Sequence, residues 1–311
     1  MIKFQKSNQN PFFKPEGKFY WNKTHAMLPI LSPYGKDDSE FSIFYCSRNN
    51  QNQSFIGRIF INLDQKNKLI INDIQREPIL SPGELGHFDD NGVSPSCHLK
   101  RADGTHMLFY MGWKPRSTTR FSLVAGLAIS EDGKTYHRYS KSPILFNSNE
   151  EPISILTAPW VIEENGIYRM WYVSGIKWIH SDLPKYNIKY AESLDGLKWK
   201  QTGKVALDNH NGFTALARPC VLKIKDDYFM WYSAKKPDSQ YNIYCAVSKN
   251  GIDWDYSSNN IMGLFKSEMK GRWDSQMIEY AHVSLIKNKL VMLFNGNDYG
   301  KSGMGLATAE I

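Results

Sequence analysis

Two groups of side chains in this sequence have types and spacing suited to chemistry. The first is the stretch Gly86-His87-Phe88-Asp89-Asp90-Asn91-Gly92, which sets a histidine and two adjacent carboxylates just before an apolar segment. The second is Glu279, held in Met277-Ile278-Glu279-Tyr280 among apolar neighbours, where a carboxylate has to be paired or put to use. Two carboxyl groups facing each other can divide general acid–base work, one protonating a leaving oxygen and the other activating a nucleophile. Asp90, Asp89 and Glu279 are therefore the candidate catalytic residues. Arg218 in Leu216-Ala217-Arg218-Pro219 follows the same logic, as a partner for a buried acid or a clamp on an anionic group. His25, His87, Thr157, Tyr280, His282 and Trp113 complete the candidate binding residues. The histidines lack the HxH or HxxxH spacing of a metal site, so no metal and no cofactor is expected.

These residues recur at one point of a repeat. Segments centred on Ala158-Pro159, Arg218-Pro219, Ser94-Pro95, Leu28-Pro29 and Tyr280-Ala281 each precede an aromatic and methionine-rich run such as Tyr168-Arg169-Met170-Trp171-Tyr172 or Tyr228-Phe229-Met230-Trp231-Tyr232. Continuous apolar runs rich in β-formers read as strands buried on both faces. A third strand follows, and then a turn of the form Ser193-Leu194-Asp195-Gly196, Ser130-Glu131-Asp132-Gly133 or Ser248-Lys249-Asn250-Gly251. Asp-Gly and Asn-Gly at such a place are hairpin signals, and one carboxylate per turn is too few to hold calcium.

Four strands per unit, repeated five times at a period of roughly fifty to sixty residues, predict an all-β fold, a five-bladed β-propeller with four antiparallel strands per blade. One domain over residues 1–311 accounts for the whole chain. The last unit runs out after its third strand, and the segment around Phe19-Tyr20-Trp21 is expected to supply the missing strand and close the ring. In that arrangement the candidate residues converge on one mouth of the central funnel.

Bulk properties bound the partners. The chain has 311 residues, 41% of them hydrophobic and 14% aromatic, enough for a real core. Its net charge of +7 is spread along the chain with no basic block, so no nucleic-acid partner is expected. No apolar run approaches the length of a membrane span, and the start carries no signal-peptide core. Cys46, Cys97, Cys220 and Cys245 are widely spaced and read as buried free thiols of a cytoplasmic protein.

The Met-Trp-Tyr strands, the Ser-x-Asp-Gly turns and the Arg-Pro and Ala-Pro inner strands resemble the five-bladed propeller glycosidases, the superfamily that includes glycoside hydrolase families 43, 32 and 130. The resemblance covers nearly the whole chain. It implies a carbohydrate-active enzyme acting as a glycoside hydrolase or phosphorylase on a sugar, an oligosaccharide or a phosphorylated sugar, with inversion expected of carboxylates set across the funnel. The hydrolytic families place an Asp on the first inner strand and a Glu on the third. Here those places hold Met27-Leu28-Pro29 and Thr157-Ala158-Pro159. A carboxylate from the second repeat with Arg and His around it is nearer the phosphorylase pattern, and Arg218, His25 and His282 are the residues that match it. Two alternatives stay open: a glycan-binding propeller without catalysis, and a nucleotide-sugar or phosphosugar enzyme of surface-polysaccharide assembly.

Overall fold

The computed structural model describes residues 2–35, 37–64, 68–257 and 262–311. It is built from antiparallel meanders that follow one another along the chain. β2 (Thr24–Pro33), β3 (Glu40–Arg48), β4 (Ser54–Leu63) and β5 (Leu69–Ile74) form the first. The second consists of β6 (Gly92–Lys100), β7 (His106–Pro115), β8 (Phe121–Ser130) and the short β9 (His137–Arg138). Next come β10 (Ile155–Glu164), β11 (Ile167–His180), β12 (Leu183–Ser193) and β13 (Lys200–Leu207). β14 (Ala215–Ile224), β15 (Asp227–Lys235) and β16 (Asn242–Ser248) follow, and among the described residues the place of an outer strand is marked by two bridges to β16, Val247 with Asp255 and Ile243 with Leu264. The final sheet orders β17 (Glu279–Ile286), β18 (Lys289–Asn295) and β19 (Met304–Glu310), with β1 (Gln5–Lys6) on its edge.

The strand added to β19 is therefore not the one expected. Gln5 and Lys6 pair with Thr308 and Ala307, and Phe13 bridges to Met304. Residues 19–21 form no strand. Trp21 is fully buried against Tyr45 and over Gly57, where any Cβ would collide with its ring, so this segment fills core volume instead of extending a sheet.

The first strand of each meander packs against the first strand of the next: β2 on β6, β6 on β10, β10 on β14, β14 on β17, and β17 on β2. The second strands carry the core, with Tyr45, Tyr110, Tyr172, Tyr232 and Phe294 all buried. The hairpin reading of the Ser-x-Asp-Gly turns holds in detail. Ser193 Oγ donates to Asp195 Oδ1 at 2.9 Å, and the same oxygen accepts from the backbone of Leu197 and Lys198, closing the turn internally. All four cysteines are free and buried.

Candidate functional site

The inner strands share an irregularity that the repeat alone did not reveal. The pairing slips by a bulge in each of them, between Thr157 and Trp160, Ala217 and Cys220, Glu279 and His282, Pro95 and Cys97, and Met27 and Ile30. In four of the strands the residue at the bulge takes a left-handed backbone: Leu28 (φ 57°), Ala158 (φ 49°), Arg218 (φ 50°) and Tyr280 (φ 58°). A bulge re-aims a side chain, and a non-glycine residue with positive φ stores strain, a combination found near functional sites.

Those four residues line one cavity of about 440 Å³. Of the residues expected from the sequence, Trp113, Thr157, Arg218 and Tyr280 belong to its wall, whereas His25, His87, Asp89, Asp90, Glu279 and His282 do not. The wall also carries Arg48, Arg120, Lys235, Asp182, Tyr241 and Tyr299, from the ends of second strands and from loops.

Arg218 is fully buried on the inner strands. Its guanidinium donates to the carbonyls of Ser96 (3.1 Å), Tyr280 (3.2 Å) and Pro29 (3.4 Å), so it ties β6, β17 and β2 together. Its Nε has no partner among the described residues, and burial lowers its proton affinity to a pKa of about 10. It is paired with neither Glu279 nor Asp90.

Glu279 opens β17 directly before Tyr280 and has no exposed surface. Asn295 Nδ2 donates to its Oε1 at 3.0 Å, and Oε2 is left without a well-formed hydrogen bond. Burial pushes its pKa up to about 8, against the opposing effects of Asn295, a polar contact with Tyr280 and the charges of Lys235 and Arg48. Glu279 is thus a neutral carboxylic acid at pH 7, one residue from the cavity wall.

The carboxylates of the second repeat are committed elsewhere. Asp89 is fully buried, and its Oδ2 accepts from Tyr110 Oη and Arg138 Nε, each at 2.9 Å. Asp90 pairs with Lys114 Nζ at 2.9 Å and accepts from the Gly86 N–H at 2.9 Å. Burial raises the Asp90 pKa, but these contacts outweigh it and hold the group below the usual carboxylate range. Both brace the loop before β6. His87 lies 3.8 Å from Glu84 in the same loop.

Burial pushes His282 down to about 3. Its Nε2 contacts Ser284 Oγ at 2.8 Å, and its ring packs on Trp160 at 5.3 Å. Burial, with the charges of Arg48 and Lys301, pushes His25 down to about 4. Thr157 Oγ1 is buried with no partner among the described residues. Trp113 stands beside Phe121, ring centroids 6.4 Å apart, as an aromatic side of the wall. Arg48, Arg120 and Lys235 carry no signal in the sequence, because charges at strand ends and in loops are what any solvated β-protein shows.

No family model matches the sequence. The chain is 38% identical over 300 residues to "Uncharacterized protein MT1551" of Mycobacterium tuberculosis (strain CDC 1551 / Oshkosh), covering 96% of this chain and 97% of that one. The two belong to one family. A more distant relative is the 1,2-beta-oligomannan phosphorylase of Thermoanaerobacter sp. (strain X514), 27% identical over 150 residues, 44% of this chain and 51% of that enzyme. Among solved structures, a glycosyl hydrolase from Bacteroides ovatus superposes with a TM-score of 0.75 at 14% identity, over 99% of this chain and 93% of that one. A structure described with the words "the GH130 family of mannoside phosphorylases contains glycoside hydrolases that target beta-1,2 mannosidic linkages in Candida mannan" gives a TM-score of 0.73 at 12% identity, with the same coverage. The family of MT1551 and this chain therefore shares the fold of the glycoside-hydrolase-like propeller proteins. Among the described residues no helix is long and apolar enough to cross a membrane.

Proposed function

We propose that this chain is a carbohydrate-active enzyme of the glycoside hydrolase and phosphorylase kind, cleaving a glycosyl unit in the 440 Å³ cavity with Glu279 as the proton donor. The observation that carries the reading is Glu279: a fully buried acid with a pKa of about 8, one carboxyl oxygen unpaired, directly behind Tyr280 on the cavity wall. A general acid serves best when it is protonated at the working pH and ready to release its proton, and an ordinary glutamate is not. The cycle of contacts from β2 through β6, β10, β14 and β17 back to β2, with β1 on the edge of β19, supports one five-bladed domain over 1–311 closed by its N-terminal residues. Four free, buried thiols fit the expected cytoplasmic location.

The chemistry needs one proton and one nucleophile. The glycosidic C1–O bond breaks, and the leaving oxygen takes a proton from the Tyr280 hydroxyl on the wall, which Glu279 behind it replaces with its own. An oxygen of water or of inorganic phosphate forms the new bond to C1 from the opposite face, which inverts the configuration. Water must give up a proton to a base, whereas phosphate arrives as a ready nucleophile. Among the described residues the one carboxylate on the wall is Asp182, and it is exposed, which favours phosphate. Asp89 and Asp90, braced by Arg138 and Lys114, serve to hold the loop before β6.

The name of the Thermoanaerobacter relative suggests the first substrates to try. β-1,2-linked mannooligosaccharides incubated with and without inorganic phosphate should yield mannose 1-phosphate in the first case, with the anomer read by NMR. Glu279→Gln should reduce turnover by roughly 10²–10⁴-fold. Full turnover in Glu279→Gln would overturn the assignment of the acid.

A further inference from the structure

Four cationic side chains reach the same cavity: Arg48, Arg120, Lys235 and Arg218. None is in an ion pair with a carboxylate among the described residues. Arg48 donates to Asn52 Oδ1 at 3.1 Å, Lys235 lies over the Tyr241 ring at 5.0 Å, and Arg218 is held by backbone carbonyls. Asp182, the single acid on the wall among the described residues, turns to His180 at 3.3 Å with its side chain 72% exposed. Glu279, behind the wall, acts on Lys235, but burial pushes its pKa up to about 8, so at pH 7 it offsets little of this charge. Like charges gathered in one concavity repel each other, and the field they set up draws an anion in. Lys235 feels the cost: burial, and after it the charge of Arg120, lowers its proton affinity even though Glu279 lies near.

The cations fall into two places. Arg218 sits among β2, β6 and β17, on the inner strands. Arg48, Arg120 and Lys235 line the cavity together with Tyr299; the charges of Arg48 and Arg120 act on the Tyr299 hydroxyl, and that of Arg120 acts on Lys235. Tyr299 is itself held in a strained turn, with Asp298 and Tyr299 both left-handed at φ 54° and 55°. Another part of the wall is aromatic, with Trp113 and Phe121. A volume of about 440 Å³ lies in the range of sites for organic ligands and far exceeds what one tetrahedral anion fills.

We infer that the cavity takes a sugar that carries its own phosphoryl group, with the phosphoryl oxygens received by Arg48, Arg120 and Lys235 and the sugar lying against Trp113 and Phe121. Guanidinium forks match phosphoryl oxygens in pairs, and a lysine adds a mobile point charge. The inference rests on the proposed function for the sugar itself, but not on proton transfer from Glu279. A sugar phosphate and a nucleoside diphosphate sugar present the same chemistry to these residues, and the test separates them.

The test is ligand binding by thermal shift and calorimetry on the full chain. The probes are glucose and mannose, their 1- and 6-phosphates, UDP-glucose, GDP-mannose and inorganic phosphate. At least one phosphorylated sugar should raise Tm where its parent hexose and inorganic phosphate at equal concentration do not. Raised salt should weaken that binding, and Arg120→Ala combined with Lys235→Gln should weaken it at least about tenfold. Preference for the hexose phosphates or for the nucleotide sugars decides between the two sources. The inference falls if no phosphorylated sugar binds, if inorganic phosphate gives the same shift, or if salt and charge removal leave binding unchanged. The salt series on the unaltered chain decides the last point even if the double variant fails to fold. Glu279→Gln should bind as the parent does. Binding without turnover of any glycoside would sink the proposed reaction and leave this site standing. Cleavage of uncharged glycosides with kcat/KM untouched by Arg120→Ala would do the reverse.

Discussion

Asn295 joins the carboxyl group of Glu279 to the backbone of Leu28. Its Oδ1 accepts the Leu28 N–H at 3.2 Å, which leaves Nδ2 to donate to Glu279 Oε1 at 3.0 Å. Oε1 is thereby fixed as an acceptor, so the proton of the neutral acid belongs on Oε2, the oxygen with no well-formed hydrogen bond. One amide thus ties the last second strand to the strained bulge of the first inner strand and also sets the direction in which the acid can give its proton.

The raised pKa of Glu279 makes stability depend on pH. The folded chain holds this proton up to about pH 8, while the unfolded chain releases it near 4.5, so folding takes up a proton between those values. The contribution is complete below about 4.5 and is lost as pH rises through 8. His25 and His282, pushed down to about 4 and 3, act in the opposite sense and cost stability as pH falls below about 6.5. Comparing Tm across pH 5–9 isolates the acid. Glu279→Gln should gain on the parent as pH rises, by on the order of 3–5 kcal/mol at the alkaline end.

Glycoside cleavage should fall above a pH of about 8, because the donor is then ionised. A pH profile of kcat/KM reads this limb on the free enzyme, and it should vanish along with most of the rate in Glu279→Gln. A limb that persists in the variant would assign the proton to another group.

Asn295→Ala removes a donor that favours the carboxylate and orphans the Leu28 N–H in a buried place. The expected results are a loss of about 1–3 kcal/mol in denaturant unfolding and an alkaline limb moved to higher pH. A limb moved to lower pH would show that Asn295 does not act on Glu279 as its geometry states.

Asp89 and Asp90 should separate cleanly. Asp89→Asn leaves the half-buried Arg138 without its counter-charge and is expected to cost about 2–4 kcal/mol. Asp90→Asn breaks a partly exposed pair with Lys114 and should cost about 1 kcal/mol or less. Turnover per folded molecule should stay within about threefold in both, measured beside Glu279→Gln. A loss of several orders of magnitude in Asp90→Asn would return that residue to the reacting centre.

The fold is legible in the sequence because its signals are local and repeated. Tyr172, Tyr232 and their neighbours mark buried second strands by composition, and Asp195 and Asn250 mark turns by a hydrogen-bonding habit that needs nothing distant. Glu279 is legible for a related reason, as one carboxylate among apolar residues has few harmless explanations. Asp89 and Asp90 carry the same residue types, but Asp-Asp-Asn-Gly is also what a braced loop uses. Only Arg138 and Lys114, far along the chain from one and on the next strand from the other, show which applies. The basic part of the wall is hidden by distance in sequence. Arg48, Arg120, Lys235 and Tyr299 come from four separate meanders, and no spacing links them. The N-terminal pairing misleads because Phe19-Tyr20-Trp21 has strand composition, whereas Gln5–Lys6, which makes the bonds, does not.

The most direct test is infrared difference spectroscopy of the carboxyl C=O stretch through a pH titration, with Glu279→Gln as the reference. We expect a protonated-carboxyl band in the parent that persists at pH 7, disappears with a midpoint near 8, and is missing from the variant. A parent spectrum with no such band at pH 7, its last carboxyl having titrated in the ordinary range near 4.5, would contradict the neutral acid on which the proposed chemistry depends.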